Sequence, residues 1–159
     1  MDFLSEAAKV LELARAKGVK IATAESCTGG MISAALTEVP GSSDVFDRGF
    51  VTYSNDAKRE MLKVTEDSLK AYGAVSEQVA EEMAMGALWA SDAQLTVAVT
   101  GIAGPGGSGN KPEGRVCFGI AMTGQETLAE TVEFGAIGRA DVRRKSRDHA
   151  LSLLHKALS

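Results

Sequence analysis

The run Gln94 to Thr100, QLTVAVT, constrains the fold of this chain most. Its apolar side chains fall on both faces of an extended segment, the pattern of a strand buried above and below rather than of one with a wet side. Such a strand needs a layer of helices on each face. The rest of the sequence supplies them. Asp2 to Lys17 puts Leu4, Ala7, Ala8, Leu11 and Ala14 on one helical face, with Gly18 as the stop. Val19 to Ala24 reads as a strand. Met31 to Thr37 is helical until Pro40 and Gly41 end it. Asp44 to Tyr53 is a second strand, and Ser54 caps the helix that follows. Thr65 to Tyr72 is a short helix closed by Gly73, and Ser76 caps a longer one through Val79, Met83, Ala87 and Ala90, with Tyr72 and Trp89 expected as packing residues. Arg115 to Thr123 and Thr127 to Phe134 form a hairpin, and Ala140 to Leu158 a last helix burying Val142, Ala150, Leu153, Leu154 and Ala157. Helices on both sides of the strands, with an antiparallel pair near the end, give an α/β class: a three-layer α/β/α single domain, residues 1–159, around a mixed sheet.

A chain of 159 residues can bury a core of this kind without staples. Its Cys27 and Cys117 cannot build a disulfide framework or a multi-thiolate metal site, and both are expected reduced. The net charge of −4 offers no footprint for a phosphate backbone, so nucleic acid is not an expected partner. No apolar run is long enough to cross a bilayer, so no membrane partner is expected. The start MDFLSEAAK has neither signal-peptide nor transit-peptide character, and a cytoplasmic location is expected.

The segment TAESCTGG, Thr23 to Gly30, lies at a strand-to-helix junction and holds two potential nucleophiles, Ser26 and Cys27. Free N–H groups of the helix that follows could hold an oxyanion or a phosphate, with Gly29 and Gly30 allowing close approach. Plain N-capping by Ser26 or Thr28 would satisfy the same sequence. Only His149 and His155 are available as imidazole bases; both lie in the last helix, where His149 falls on the apolar face as a packed histidine. Lysine is then the candidate base. Lys58 sits one turn into the helix capped by Ser54 and would lean back toward Tyr53, where burial and the helix N-terminus favour a neutral amine. An exposed lysine on a solvated face is the alternative at this point. The 14-residue loop GIAGPGGSGNKPEG satisfies G-x-G-x-x-G at Gly104, Gly106 and Gly109, yet a strand rather than a helix follows, so a dinucleotide fingerprint fails. A flexible surface loop and a substrate-cradling loop both fit. No histidine or carboxylate spacing suits a metal.

Several blocks in order, TAESCTGG, PGSSDVFDRGFVTYSNDAK, GAVSEQVAEEMA, VTGIAGPGG and RADVRR...HALSLL, resemble the CinA C-terminal domain family, the nicotinamide mononucleotide deamidases, in its stand-alone form. The resemblance covers nearly the whole chain from Gly18 on. It implies an α/β/α amidohydrolase that converts nicotinamide mononucleotide to nicotinate mononucleotide and ammonia, without metal or organic cofactor. It further implies Ser26 as nucleophile, Lys58 as base and Tyr53 as an assisting hydroxyl. Thr28, Gly29 and Gly30 would supply oxyanion donors; Thr100, Gly101 and Gly104 would line the nucleotide site; and Arg139, Arg143 and Arg144 are the phosphate candidates. A homo-oligomer, a dimer, is also expected. The chain departs from the family pattern at Gly138-Arg139, where Gly-Asp-Arg is usual, and at Arg115, where a small residue is usual. The family's competence-linked name implies a second reading, a non-catalytic nucleotide-sensing or interaction module in DNA uptake or repair.

Overall fold

The computed structural model describes residues 2–159, so Met1 of the expected domain lies outside the described residues. Five strands, β1 (Ile21–Glu25), β2 (Phe46–Val51), β3 (Leu95–Gly101), β4 (Arg115–Met122) and β5 (Leu128–Glu133), form one sheet in the order β2-β1-β3-β4-β5. β1 is parallel to both neighbours, with Ala24 opposite Phe50 on one side and Ala98 on the other. β4 is antiparallel to β3 and to β5, which gives the expected mixed sheet and C-terminal hairpin. β3 is the central strand, and every residue from Leu95 to Val99 is fully buried.

Its two faces feed two cores. Leu95, Val97 and Val99 pack among α1 (Phe3–Lys17), α2 (Met31–Thr37) and α6 (Arg139–Leu158). Ala98 meets the opposite layer, built from α3 (Asn55–Leu62), α4 (Glu66–Tyr72) and α5 (Glu77–Trp89). Buried Thr96 is satisfied there by donating to the Ala84 carbonyl at 2.7 Å. The three-layer α/β/α class follows directly.

Caps set the helix boundaries where polar side chains take up free N–H groups. Asp2, Ser54, Thr65 and Ser76 accept from the N–H of Ser5, Ala57, Ser68 and Val79. The buried face of α1 differs from the expectation: Leu4 and Ala8 are exposed, and Val10 joins Ala7, Leu11 and Ala14 in the core. Packing of α1 against α2 and α6 selects that stripe. Tyr72 and Trp89 are also corrected, being exposed rather than packed. Trp89 instead lies beneath Lys63 Nζ, 5.3 Å from the ring centre. The inner face of α5 has room only for small residues, because α3 approaches it closely. A Cβ at Gly86 would fall 1.9 Å from the Leu62 carbonyl oxygen.

His149 is half-buried, its ring 4.5 Å from that of Phe118 and its Nε2 2.8 Å from Glu130 Oε1. It is a packed, hydrogen-bonded histidine. No helix among the described residues is long and apolar enough to cross a membrane.

Candidate active site

The chain leaves β1 toward β2 on one side and returns, by way of α3 to α5, to β3 on the other. The carboxyl ends of these parallel strands therefore meet at a switch point, the place where open α/β sheets form crevices. Ser26 directly follows β1, and its N–H donates to the Val99 carbonyl at 3.0 Å, so β3 fixes its position. At the end of β2, the Thr52 N–H donates to the Glu25 carbonyl at 2.8 Å.

Lys58 comes to this point from the first turn of α3. Its side chain is 1% exposed. Nζ lies 3.0 Å from Ser26 Oγ, 3.0 Å from the Thr52 carbonyl oxygen and 3.3 Å from that of Tyr53. Among the described residues no carboxylate pairs with it, and burial pushes its pKa below the ordinary lysine value. The exposed-lysine alternative is thereby set aside. Cys27 is also buried, and burial pushes its thiol up to about 11, so it stays protonated near neutrality.

One residue of the turn carries a role that the sequence reading missed. Glu25 is fully buried, and its carboxylate accepts from Thr28 Oγ1 at 2.6 Å, from the N–H groups of Gly30, Ile32 and Ser33 at 3.2, 3.0 and 2.9 Å, and from Ser33 Oγ at 2.9 Å. A buried carboxylate needs such a set of donors. The available signal was a charged residue ending a wholly buried strand just before paired glycines. Gly30 reaches this carboxylate at φ 107°, a conformation that side-chain-bearing residues rarely adopt. Gly29 N–H is likewise occupied, by the Ser26 carbonyl at 3.1 Å. Of the turn's donors, the N–H groups of Cys27 and Thr28 have no hydrogen-bond acceptor among the described residues.

A cavity of about 360 Å³ opens over the pair. Ser26, Cys27, Tyr53, Lys58, Thr100, Gly101, Gly104 and Arg139 line it, whereas Thr28, Gly29, Gly30, Arg143 and Arg144 do not. Asn55, which sequence reasoning did not single out, is also in the wall. The glycine-rich loop forms one side and is tied down. Glu113 Oε1 accepts from the Gly106 N–H at 2.6 Å, Lys111 Nζ donates to the Val75 carbonyl at 2.6 Å, and Thr100 Oγ1 donates to that of Ala74 at 2.9 Å.

The three arginines separate. Arg139 donates to the Gly104 carbonyl at 2.7 Å and to the Tyr53 hydroxyl at 3.0 Å, at the cavity rim. Arg143 lies behind the turn, donating through Nε to the Cys27 carbonyl at 3.0 Å and through Nη2 to that of Thr28 at 3.4 Å. Arg144 pairs with Asp141 on the exposed side of α6. The Tyr53 side chain is mostly exposed, and its hydroxyl meets Arg139 rather than Lys58. Among the described residues no three His, Cys, Asp or Glu side chains form a group that could hold a metal ion.

Fold and site together define an α/β/α domain in which parallel strand ends hold a buried hydroxyl and a carboxylate-free lysine beside a polar cavity. The chain belongs to the CinA C-terminal domain family, whose model matches residues 4–158. It is 48% identical over 141 residues to the nicotinamide-nucleotide amidohydrolase PncC of Escherichia coli K12, covering 88% of this chain and 85% of that one. It is 55% identical over 121 residues to the PncC of Enterobacter agglomerans, covering 76% and 74%. A CinA-like protein of Chloroherpeton thalassium is 47% identical over 93% of this chain, which spans only 36% of that longer relative. Among solved structures, the competence/damage inducible protein CihA of Agrobacterium tumefaciens superposes with a TM-score of 0.95 at 48% identity, over 99% of this chain and 96% of that one.

Proposed function

We propose that the protein hydrolyses the carboxamide of nicotinamide mononucleotide, giving nicotinate mononucleotide and ammonia in pyridine nucleotide salvage. The observation that carries this reading is the 3.0 Å contact between Lys58 Nζ and Ser26 Oγ, made by a buried lysine with no carboxylate partner. The carbonyls of Thr52 and Tyr53 can only accept. They take the two N–H bonds of a neutral amine, and the remaining lone pair faces the Ser26 hydroxyl. That is the arrangement of a general base and its nucleophile. The names of the two PncC relatives support the substrate.

Lys58 takes the Ser26 proton as Oγ adds to the carboxamide carbon, and backbone N–H groups of the turn hold the oxyanion. Collapse of the intermediate breaks the C–N bond, with the Lys58 ammonium giving its proton to the departing ammonia. Water then cleaves the nicotinoyl ester by the same relay. The route calls on no metal or organic cofactor. Arg139, as the arginine lining the cavity, pairs with the substrate phosphate, and the Tyr53 hydroxyl steers it. Thr100, Gly101 and Gly104 shape the nucleotide site. A pyridine nucleotide substrate places this work in the cytoplasm.

A non-catalytic nucleotide sensor would use Arg139 and the cavity but gives no reason to bury an unpaired lysine against a serine, at a desolvation cost of several kcal/mol by order of magnitude. Incubating the purified protein with nicotinamide mononucleotide and measuring ammonia separates the two. Stoichiometric ammonia supports the amidase, and tight binding without ammonia supports the sensor.

A further inference from the structure

The site as described leaves two buried charges behind the turn without a part in the chemistry, Glu25 and Arg143. Neither lines the cavity. They grip the same turn by opposite means. Glu25 takes up donors, namely Thr28 Oγ1 and the N–H groups of Gly30, Ile32 and Ser33. Arg143 takes up acceptors, the carbonyls of Cys27 and Thr28.

Peptide geometry converts these grips into directions. The only cis peptide among the described residues is Gly104-Pro105, so those of the turn are trans, and in a trans peptide the N–H points opposite to the C=O of the same plane. The guanidinium that holds the Cys27 carbonyl therefore turns the Thr28 N–H away from α6's Arg143. The Ser26 carbonyl, held by the Gly29 N–H, turns the Cys27 N–H in the same manner. These are the two N–H groups of the turn that have no protein acceptor.

We propose that Glu25 and Arg143 are positioning residues that hold the turn from behind so that the Cys27 and Thr28 N–H groups serve as the oxyanion donors for attack by Ser26. The proposal rests on the amidase reading above. It reassigns Arg143 from phosphate to backbone, four residues and one helical turn from Arg139, which faces the ligand. It also explains the chemistry of Glu25. Glutamine at this position would offer one acceptor oxygen and set an NH₂ group against donors that already point at it.

The test uses Arg143→Met and Glu25→Gln in the full chain, with nicotinamide mononucleotide and its dephosphorylated nucleoside as substrates. Ser26 labelling by a fluorophosphonate, whose phosphoryl oxygen takes the oxyanion's place, is followed in parallel. The expected result is a fall in kcat of about 10²–10³ on both substrates alike, the size seen when an oxyanion donor is lost. KM should stay within about threefold. Labelling should slow in step with kcat, and affinity for the product nicotinate mononucleotide should be unchanged. In the double variant the loss should be little larger than the greater single loss, because both residues act through one turn. Arg143→Lys keeps the charge but not the fork, and should leave most of the loss in place.

Three results would overturn the proposal: a KM increase confined to the phosphorylated substrate, recovery of wild-type kcat by Arg143→Lys, or unchanged labelling in both variants. If Arg143→Met does not fold, the lysine variant and Glu25→Gln decide by the same readouts. Failure of the amidase reading shows itself separately, as wild-type protein that releases no ammonia.

Discussion

The Tyr53 hydroxyl accepts a hydrogen bond from Arg139 Nη2 at 3.0 Å, which joins the end of β2 to the start of α6 across the cavity rim. Arg139→Ala should raise KM for nicotinamide mononucleotide by roughly 10- to 100-fold, the worth of one or two charged hydrogen bonds. The nucleoside lacking the phosphate should lose little. Tyr53→Phe should move KM in the same direction by a smaller factor and leave kcat nearly alone. A kcat collapse in the phenylalanine variant, measured by ammonia release, would give the hydroxyl a part in proton transfer instead.

Ser26→Ala should lower turnover by about 10⁴ or more, as expected for a covalent nucleophile. Circular dichroism and the unfolding midpoint should stay close to wild type, since Ser26 is held by its backbone N–H rather than by its side chain. Mass spectrometry of a quenched reaction should find the nicotinoyl ester in wild type and none in the variant.

Cys27→Ala should keep most of the activity. Burial holds the thiol at about 11, so almost none is thiolate near neutrality, and its replacement costs about 1 kcal/mol of packing. Native protein should also react slowly with iodoacetamide. Loss of turnover comparable to that of Ser26→Ala would transfer the nucleophile to the cysteine.

Lys58 supplies a pH signature with a definite sign. Its folded pKa lies below the ordinary lysine value, so between the two the unfolded chain binds more protons than the native one. Stability contributed by this group therefore rises with pH across that window, and the cost of burying it is largest below the folded pKa. Compared with Lys58→Met, the wild type should gain in relative unfolding free energy as pH climbs toward the ordinary lysine value. Activity should follow the same group, with kcat/KM rising through its pKa in the free enzyme. Lys58→Arg should remain inactive because arginine cannot accept the proton. Turnover rescued by arginine would exclude Lys58 as the base.

Gly86→Ala tests the packing that places the base. On propensity alone, alanine inside a helix gains about 1 kcal/mol over glycine. Here its Cβ would meet the Leu62 carbonyl oxygen at 1.9 Å, so overpacking should reverse the sign and cost about 1–3 kcal/mol. The unfolding midpoint should drop, and kcat should fall more than KM changes, because α3 carries Lys58 outward.

Local chemistry was readable in the sequence, and long-range packing was not. Ser54 and Ser76 announced their helices because a cap needs only a hydroxyl and the next few N–H groups. The two-sided strand 94–100 announced both helical layers. The depth of Lys58 was beyond local reading, since the approach of α3 to α5 at Gly86 decides it, and so Lys58 stood open between base and surface residue. The same tight interface leaves Trp89 outside. Resemblance brought Ser26, Lys58 and Arg139 together on the page. It could not separate Arg139 from Arg143, because one helical turn sends one guanidinium to the cavity and the other to two carbonyls. Glu25 went unread because its five donors come from residues spread over the following turn and helix.

The hydrogen bond from the Ser26 N–H to Val99 has a consequence in time. During synthesis β1 leaves the ribosome long before its central neighbour β3, and Arg139 and Arg143 follow only after the whole sheet. A nascent chain that already contains both Ser26 and Lys58 has neither the strand that seats the serine nor the helix that braces its turn. The growing polypeptide is thus chemically silent until its final helix docks, and recovery of activity on refolding marks completion of the entire sheet rather than the meeting of two side chains.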